Sequence, residues 1–114
     1  MPVKTIKLKI RAVDRDIFEA IRSGKKPVET RAGTVKFRNI KAGDMLEFVC
    51  KKDKFTKPVK RVEIFKSIGD LLKKYKLEEI NPNIKTLDEL EKMYYSFPGY
   101  KEKIKKFGIM AMEL

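Results

Sequence analysis

Residues Ser23 to Gly33 read SGKKPVETRAG, and how this stretch is read decides the fold. Gly24 is placed to end a helix, because glycine takes the left-handed conformation of a helix C-terminus without a Cβ penalty. Pro27 cannot continue that helix, since it has no N–H and its ring clashes with the preceding turn. The residues after Pro27 are therefore extended, and an extended VETRA sends alternate side chains to opposite sides. If Val28 faces the core, Glu29 and Arg31 share the other face, and Lys26 is close enough to join them. By spacing alone the three are either an exposed ion-pair group, worth little in stability, or the polar wall of a cleft that reads an anion. The GKK is not a phosphate loop: a Walker A motif needs GxxxxGK[ST], whereas Glu19 stands five positions before Gly24 and Lys26 follows Lys25.

Working outward, Thr5 to Ile10 (TIKLKI) alternates apolar residues with lysine, the period of a half-buried strand. Asp14 or Asp16 can cap a short helix whose Ile17, Phe18 and Ile21 form the buried stripe. Val35 to Ile40 (VKFRNI) alternates again, and a hairpin with VETRA would bring Arg31 close to Lys36 or Arg38. Lys41 to Asp44 (KAGD) is a turn by composition. A strand is expected over Met45 to Cys50, a polar loop over Lys51 to Lys57, and another strand over Val59 to Phe65. From Ser67 the character becomes helical. Ser67 starts a short helix, Thr86 and Glu89 have capping-box spacing, and Leu87, Leu90, Met93 and Tyr94 lie along one side of the next helix. YKEKIKKFG adds another turn or two, and IMAMEL closes as a strand. Strands first, helices second and a returning strand imply one α+β domain over residues 1–114, built around a curled sheet or small barrel.

The chain has 114 residues with a formal net charge of +12 and a pI near 9.8. Through Lys66 there are 19 Lys and Arg against 8 Asp and Glu; from Ser67 there are 9 against 8. The positive field thus belongs to the first part of the chain. An anionic partner accounts for this asymmetry, and so does a lysine-rich solvated surface. A surface rich in Lys and Glu also fits a protein from a hot environment. Cys50 is the single cysteine, so no disulfide framework exists and a reducing cytoplasm is the expected setting. The absence of histidine excludes Ser-His and Cys-His catalysis and imidazole-bound zinc. Met1 to Ile10 alternates charge with apolar residues rather than forming a leader, and no apolar run reaches the ~20 residues of a membrane span. A cytoplasmic monomer without metal or cofactor is expected.

Read as GxKxxExR, Gly24 to Arg31 followed by Ile40-Lys41-Ala42-Gly43-Asp44 and the strand LEF resembles the ASCH domain family of the PUA-like superfamily. The Tyr94-Tyr95 pair and the closing Phe107-Gly108-Ile109 strand agree. The resemblance implies a small PUA-like mixed β-barrel of about five to six strands flanked by helices. It also implies a cleft carrying Lys26, Glu29 and Arg31 that binds RNA or a nucleotide-like anion. Gly24, Lys25, Lys36, Arg38 and an outward Tyr95, able to stack on a base, complete the expected binding set. One branch of the family resembles amidohydrolases that deacylate a modified cytidine. Lys26 matches that branch's lysine, but Glu29 occupies its threonine position, and Thr30 should face the other way. RNA binding is therefore the first reading; an amidohydrolase using Lys26 and Glu29 is the alternative.

Overall fold

The computed structural model describes residues 3–114, so Met1 and Pro2, the start of the Met1–Ile10 stretch, lie outside the described residues. The elements run β1 (Thr5–Lys9), α1 (Arg15–Ser23), β2 (Val28–Ala32), β3 (Met45–Cys50), β4 (Asp53–Pro58) and β5 (Arg61–Phe65). They continue with α2 (Ile68–Leu72), α3 (Leu77–Ile80), α4 (Leu87–Tyr95), α5 (Tyr100–Phe107) and β6 (Ile109–Glu113), and a 3-10 turn at Ala12–Asp14 precedes α1. This is an α+β fold.

The expected single barrel is replaced by two three-stranded sheets, ordered β1-β3-β4 and β2-β6-β5. β1 runs parallel to β3; the other pairings are antiparallel. β6 explains how the two sheets form one body. Its side chains alternate, and both sets are buried. Met110 and Met112 pack with Leu8, Leu46 and Phe48 of the first sheet and Phe18 and Ile21 of α1. Ile109 and Ala111 pack with Leu71, Leu90, Tyr94 and Ile104 of the later helices. The layers are therefore the first sheet with α1, the second sheet, and then helices α2–α5. Each of the Leu, Ile, Phe and Met side chains among them, fully buried, contributes about 1.5–3 kcal/mol.

Local signals acted where they were expected. Gly24 ends α1 at φ 87°, and Ser67 Oγ accepts from Asp70 N at 3.1 Å to cap α2. Thr86 Oγ1 accepts from Glu89 N at 3.1 Å to cap α4. Asp14 does not cap α1 with its side chain; its carboxylate instead accepts from Arg11 Nε at 2.8 Å. In the KAGD turn, Asp44 accepts from Lys41 N at 2.9 Å and Lys4 N at 3.4 Å, tying the entry of β3 to the approach of β1. These bonds hold its carboxyl below the ordinary range.

Two segments depart from the sequence reading. VKFRNI is not a strand: Phe37 N and Arg38 N both donate to Thr34 O, and Ile40 N donates to Phe37 O, closing consecutive turns. β2 has β6 as its partner instead, and Gly33 N donates to Gly108 O at 3.0 Å. The hairpin through Ala32-Gly33-Thr34 therefore does not form, and Val35 points outward with 69% exposure. Conversely, most of the polar Lys51–Lys57 segment is strand β4, paired along its length with β3; only Lys51 and Lys52 turn. Edge strands tolerate polar composition because one side of each faces water.

Candidate cleft on the edge of strand β2

β2 is an edge strand, and a cleft of ≈ 480 Å³ opens along it. That volume lies in the range of small-ligand sites. One wall is the end of β1 and the turn after it (Lys9, Ile10, Arg11) with Ile17 of α1; the other is Ile80, Asn81, Met93, Tyr94 and the Ser96–Pro98 corner, with Tyr100. Lys26, Glu29, Thr30 and Arg31 line it from β2 and its approach.

Strand alternation places the β2 side chains. Glu29 and Arg31 lie opposite Met112 and Met110 and face the first sheet; Val28, Thr30 and Ala32 face the helices. Glu29 is buried, as is Lys26 with a side chain only 5% exposed, while the Arg31 side chain remains 25% exposed. Lys26 Nζ donates to Val28 O at 2.6 Å and to Glu29 Oε1 at 3.1 Å. Glu29 Oε1 also accepts from Thr30 N at 2.9 Å, and Oε2 accepts from Arg31 Nη2 at 3.4 Å. On the helix side the Thr30 and Tyr94 hydroxyls are hydrogen-bonded, and Ala32 N donates to Tyr100 OH at 3.2 Å.

These contacts share a cause. With Gly33 bonded to Gly108 and Leu114 N donating to Pro27 O, the odd-numbered residues of β2 face β6, and Val28, Thr30 and Ala32 turn their backbone groups to the free edge. An unpaired edge is costly when buried and sticky when exposed. Lys26, Glu29 and Tyr100 occupy three of those edge groups. Lys26 is therefore committed to the protein, and the exposed ion pair of the sequence reading is a buried one.

Arg31 is different. Its guanidinium carries five N–H groups, and among the described residues its side chain makes only the Glu29 hydrogen bond. The guanidinium carbon sits 5.8 Å from the centre of the Phe37 ring, which steadies it from a second side. Lys36 Nζ lies 5.3 Å from the centre of that same ring, so Lys36 and Arg31 share Phe37 as a contact although no hairpin exists. Arg38 is exposed on that turn, and neither it nor Lys36 lines the cleft. Lys25 and Gly24 are exposed and outside it. Tyr95 is 40% exposed and outside it as well; its buried neighbour Tyr94 lines the cleft. The sequence reading missed Lys9, Asn81, Tyr94 and Tyr100. Only Tyr94 had a local signal, being the inward member of the YY pair.

Burial alone would raise the Glu29 pKa, but the charges of Lys26 and Arg31 and the hydrogen bonds from Lys26 and Thr30 outweigh it and hold the carboxyl below its ordinary 4.5. Burial similarly pushes the Tyr94 hydroxyl upward, keeping it protonated. A carboxyl depressed on folding adds stability above its unfolded pKa and loses it as pH falls through the folded value. The gap in urea midpoint between wild type and Glu29→Gln is thus expected to narrow from about pH 6 to about pH 3. A gap that stays constant with pH would contradict the charged pairing. Among the described residues no group of three or more His, Cys, Asp or Glu is arranged to hold a metal, and no helix is long and apolar enough to cross a membrane.

Fold and cleft together define a small α+β domain of two stacked sheets, with a ligand-sized cleft on one sheet edge. The chain is similar in structure to hypothetical protein PH0355 from Pyrococcus, with TM-score 0.82 and 30% identity over 96% of this chain and 95% of that one. It is similar also to protein PF0455 from Pyrococcus furiosus, with TM-score 0.75 and 31% identity over 96% and 94%. At that identity over nearly the whole of each chain, the protein belongs to the family that these Pyrococcus proteins represent. The thermophilic source of these relatives accords with the Lys- and Glu-rich composition. No family model and no curated protein matches the chain.

Proposed function

We propose that the protein is an ASCH-type, PUA-like domain that binds RNA, with one nucleotide unit in the β2 cleft. The observation that carries this reading is Arg31. It is oriented by Glu29 and Phe37, partly open to the cleft, and among the described residues keeps guanidinium N–H groups unpartnered. A guanidinium held this way presents a fork that fits phosphate. Charge supports the same partner, since Lys9, Arg11, Lys26 and Arg31 face only Asp14 and Glu29 in the cleft. The family assignment itself rests on the GxKxxExR and GD residues, whose Lys26, Glu29 and Arg31 line this cleft.

Fluorescence anisotropy with a labelled single-stranded RNA tests the reading. Arg31→Ala is expected to weaken binding by roughly tenfold or more, the scale of a charged hydrogen bond, with the fold checked by circular dichroism. Lys25→Ala, which removes an equal charge outside the cleft, is expected to change it less than about twofold. Equal losses in the two variants would refute the cleft as the site.

A second reading, deacylation of an acylated cytidine, rests on the Lys26–Glu29 pair at 3.1 Å in the cleft wall. The geometry favours binding over it, because the hydroxyl of the adjacent Thr30 faces the helices and is bonded to Tyr94. Chromatography after incubation with acylated cytidines tests this alternative; no turnover removes it.

A further inference from the structure

We infer that the outward face of the β1-β3-β4 sheet is a track for the phosphate backbone of a single RNA strand, one nucleotide of which occupies the cleft. The inference rests on the RNA-binding reading of that cleft. Two rows of the sheet's register carry it. Lys9 pairs with Val49 and Val49 with Lys54, while Lys7 pairs with Glu47 and Glu47 with Thr56. Since neighbours along a strand alternate faces, Lys7, Lys9 and Lys54 stand on one side, and Leu8, Phe48 and Phe55 pack on the other. All three lysines are exposed.

Adjacent strands lie about 4.8 Å apart and alternate residues about 7 Å apart, so the lysines form a triangle with sides of roughly 7 to 12 Å. One carboxylate interrupts it, Glu47, at 4.0 Å from Lys7. Lys9, at the end of β1, also lines the cleft, so the face and the cleft meet at this residue. The face carries no aromatic ring on these rows, so it has nothing on which bases stack, and the phosphates are what it can contact. This also assigns part of the positive excess of the first 66 residues a location. Lysines on edge strands deter pairing with other chains, but that role makes no demand on RNA.

The test is the salt dependence of affinity for a single-stranded RNA ten nucleotides long, measured for wild type and for Lys7→Ala/Lys54→Ala. Each phosphate contact on a single strand contributes ~0.7 to the slope of log K against log salt. Removing two should lower the slope by about 1.4 and the affinity near 0.15 M salt by about tenfold. Lys85→Ala/Lys105→Ala removes the same charge from exposed positions elsewhere and should leave the slope unchanged. Equal slope changes in both double variants would overturn the track, as would aggregation of the Lys7/Lys54 variant with its slope intact. If Arg31→Ala still loses binding in that case, the cleft reading survives and the track alone fails. If wild type does not bind the RNA at all, the cleft reading fails first and takes the track with it.

Discussion

Lys26→Met is expected to lower the stability of the domain by about 3–5 kcal/mol, the scale for removing one partner of a buried ion pair. The methylenes of Met fill much the same space, so the loss is electrostatic. Glu29 is left in the cleft wall with a side chain only 9% exposed and Arg31 Nη2 at 3.4 Å as its remaining cationic partner. Val28 O loses its donor as well. The contribution of Arg31 places the cost toward the lower end of the range. The double variant Lys26→Met/Glu29→Gln should recover much of it, because neither charge is then stranded and glutamine still offers an oxygen to Thr30 N. Urea unfolding of the single and double variants measures the coupling. A loss below about 1 kcal/mol for Lys26→Met would show that the pair is solvated rather than buried.

Gly108→Ala is the second change with a large expected effect, at about 2–6 kcal/mol. Gly108 has φ 77° and ψ −177°, a region open essentially to glycine alone, and forcing another residue there costs of order 1–3 kcal/mol. Its environment adds to this. A Cβ would lie 2.5 Å from Phe65 O and 3.0 Å from the Ile64 side chain, and accommodating it means moving backbone, at a further ~1–3 kcal/mol. Gly108 leads into β6, which pairs with both β2 and β5, so the shift strikes the centre of the second sheet. Gly24→Ala is the contrast: φ is 87°, but a Cβ there would meet nothing within 4 Å, so only the left-handed penalty of about 1–2 kcal/mol applies. Similar losses in the two variants would contradict the close approach at Gly108.

Much of the local structure was legible because its cause is local. The break at Gly24 and Pro27, the caps at Ser67 and Thr86 and the alternation of VETRA all depend on a few neighbouring atoms. The VKFRNI segment shows the limit. Its alternation is as regular as that of TIKLKI, yet alternation records only which side chains are apolar. TIKLKI finds β3 as a partner, whereas β6, arriving from the far end of the chain, has taken β2. VKFRNI then satisfies its backbone with bonds to Thr34 and Phe37. The polar segment at Asp53–Pro58 errs in the opposite sense for the same reason, since β3 supplies a ladder that its composition does not advertise.

The candidate site divides in the same way. From the sequence alone, Glu29 and Arg31 share one face of an extended strand with Lys26 at its entrance, because a period of two is a property of the backbone itself. Tertiary structure decided what that face meets. Stacking of the second sheet on the first buried Lys26 and Glu29 against a free strand edge whose N–H and C=O groups needed partners, and it left Arg31 with donors to spare. It also brought Lys9, Tyr94 and Tyr100 to the same cleft from positions 17 to 68 residues away, a juxtaposition set by packing across layers and carried by no local pattern of residues.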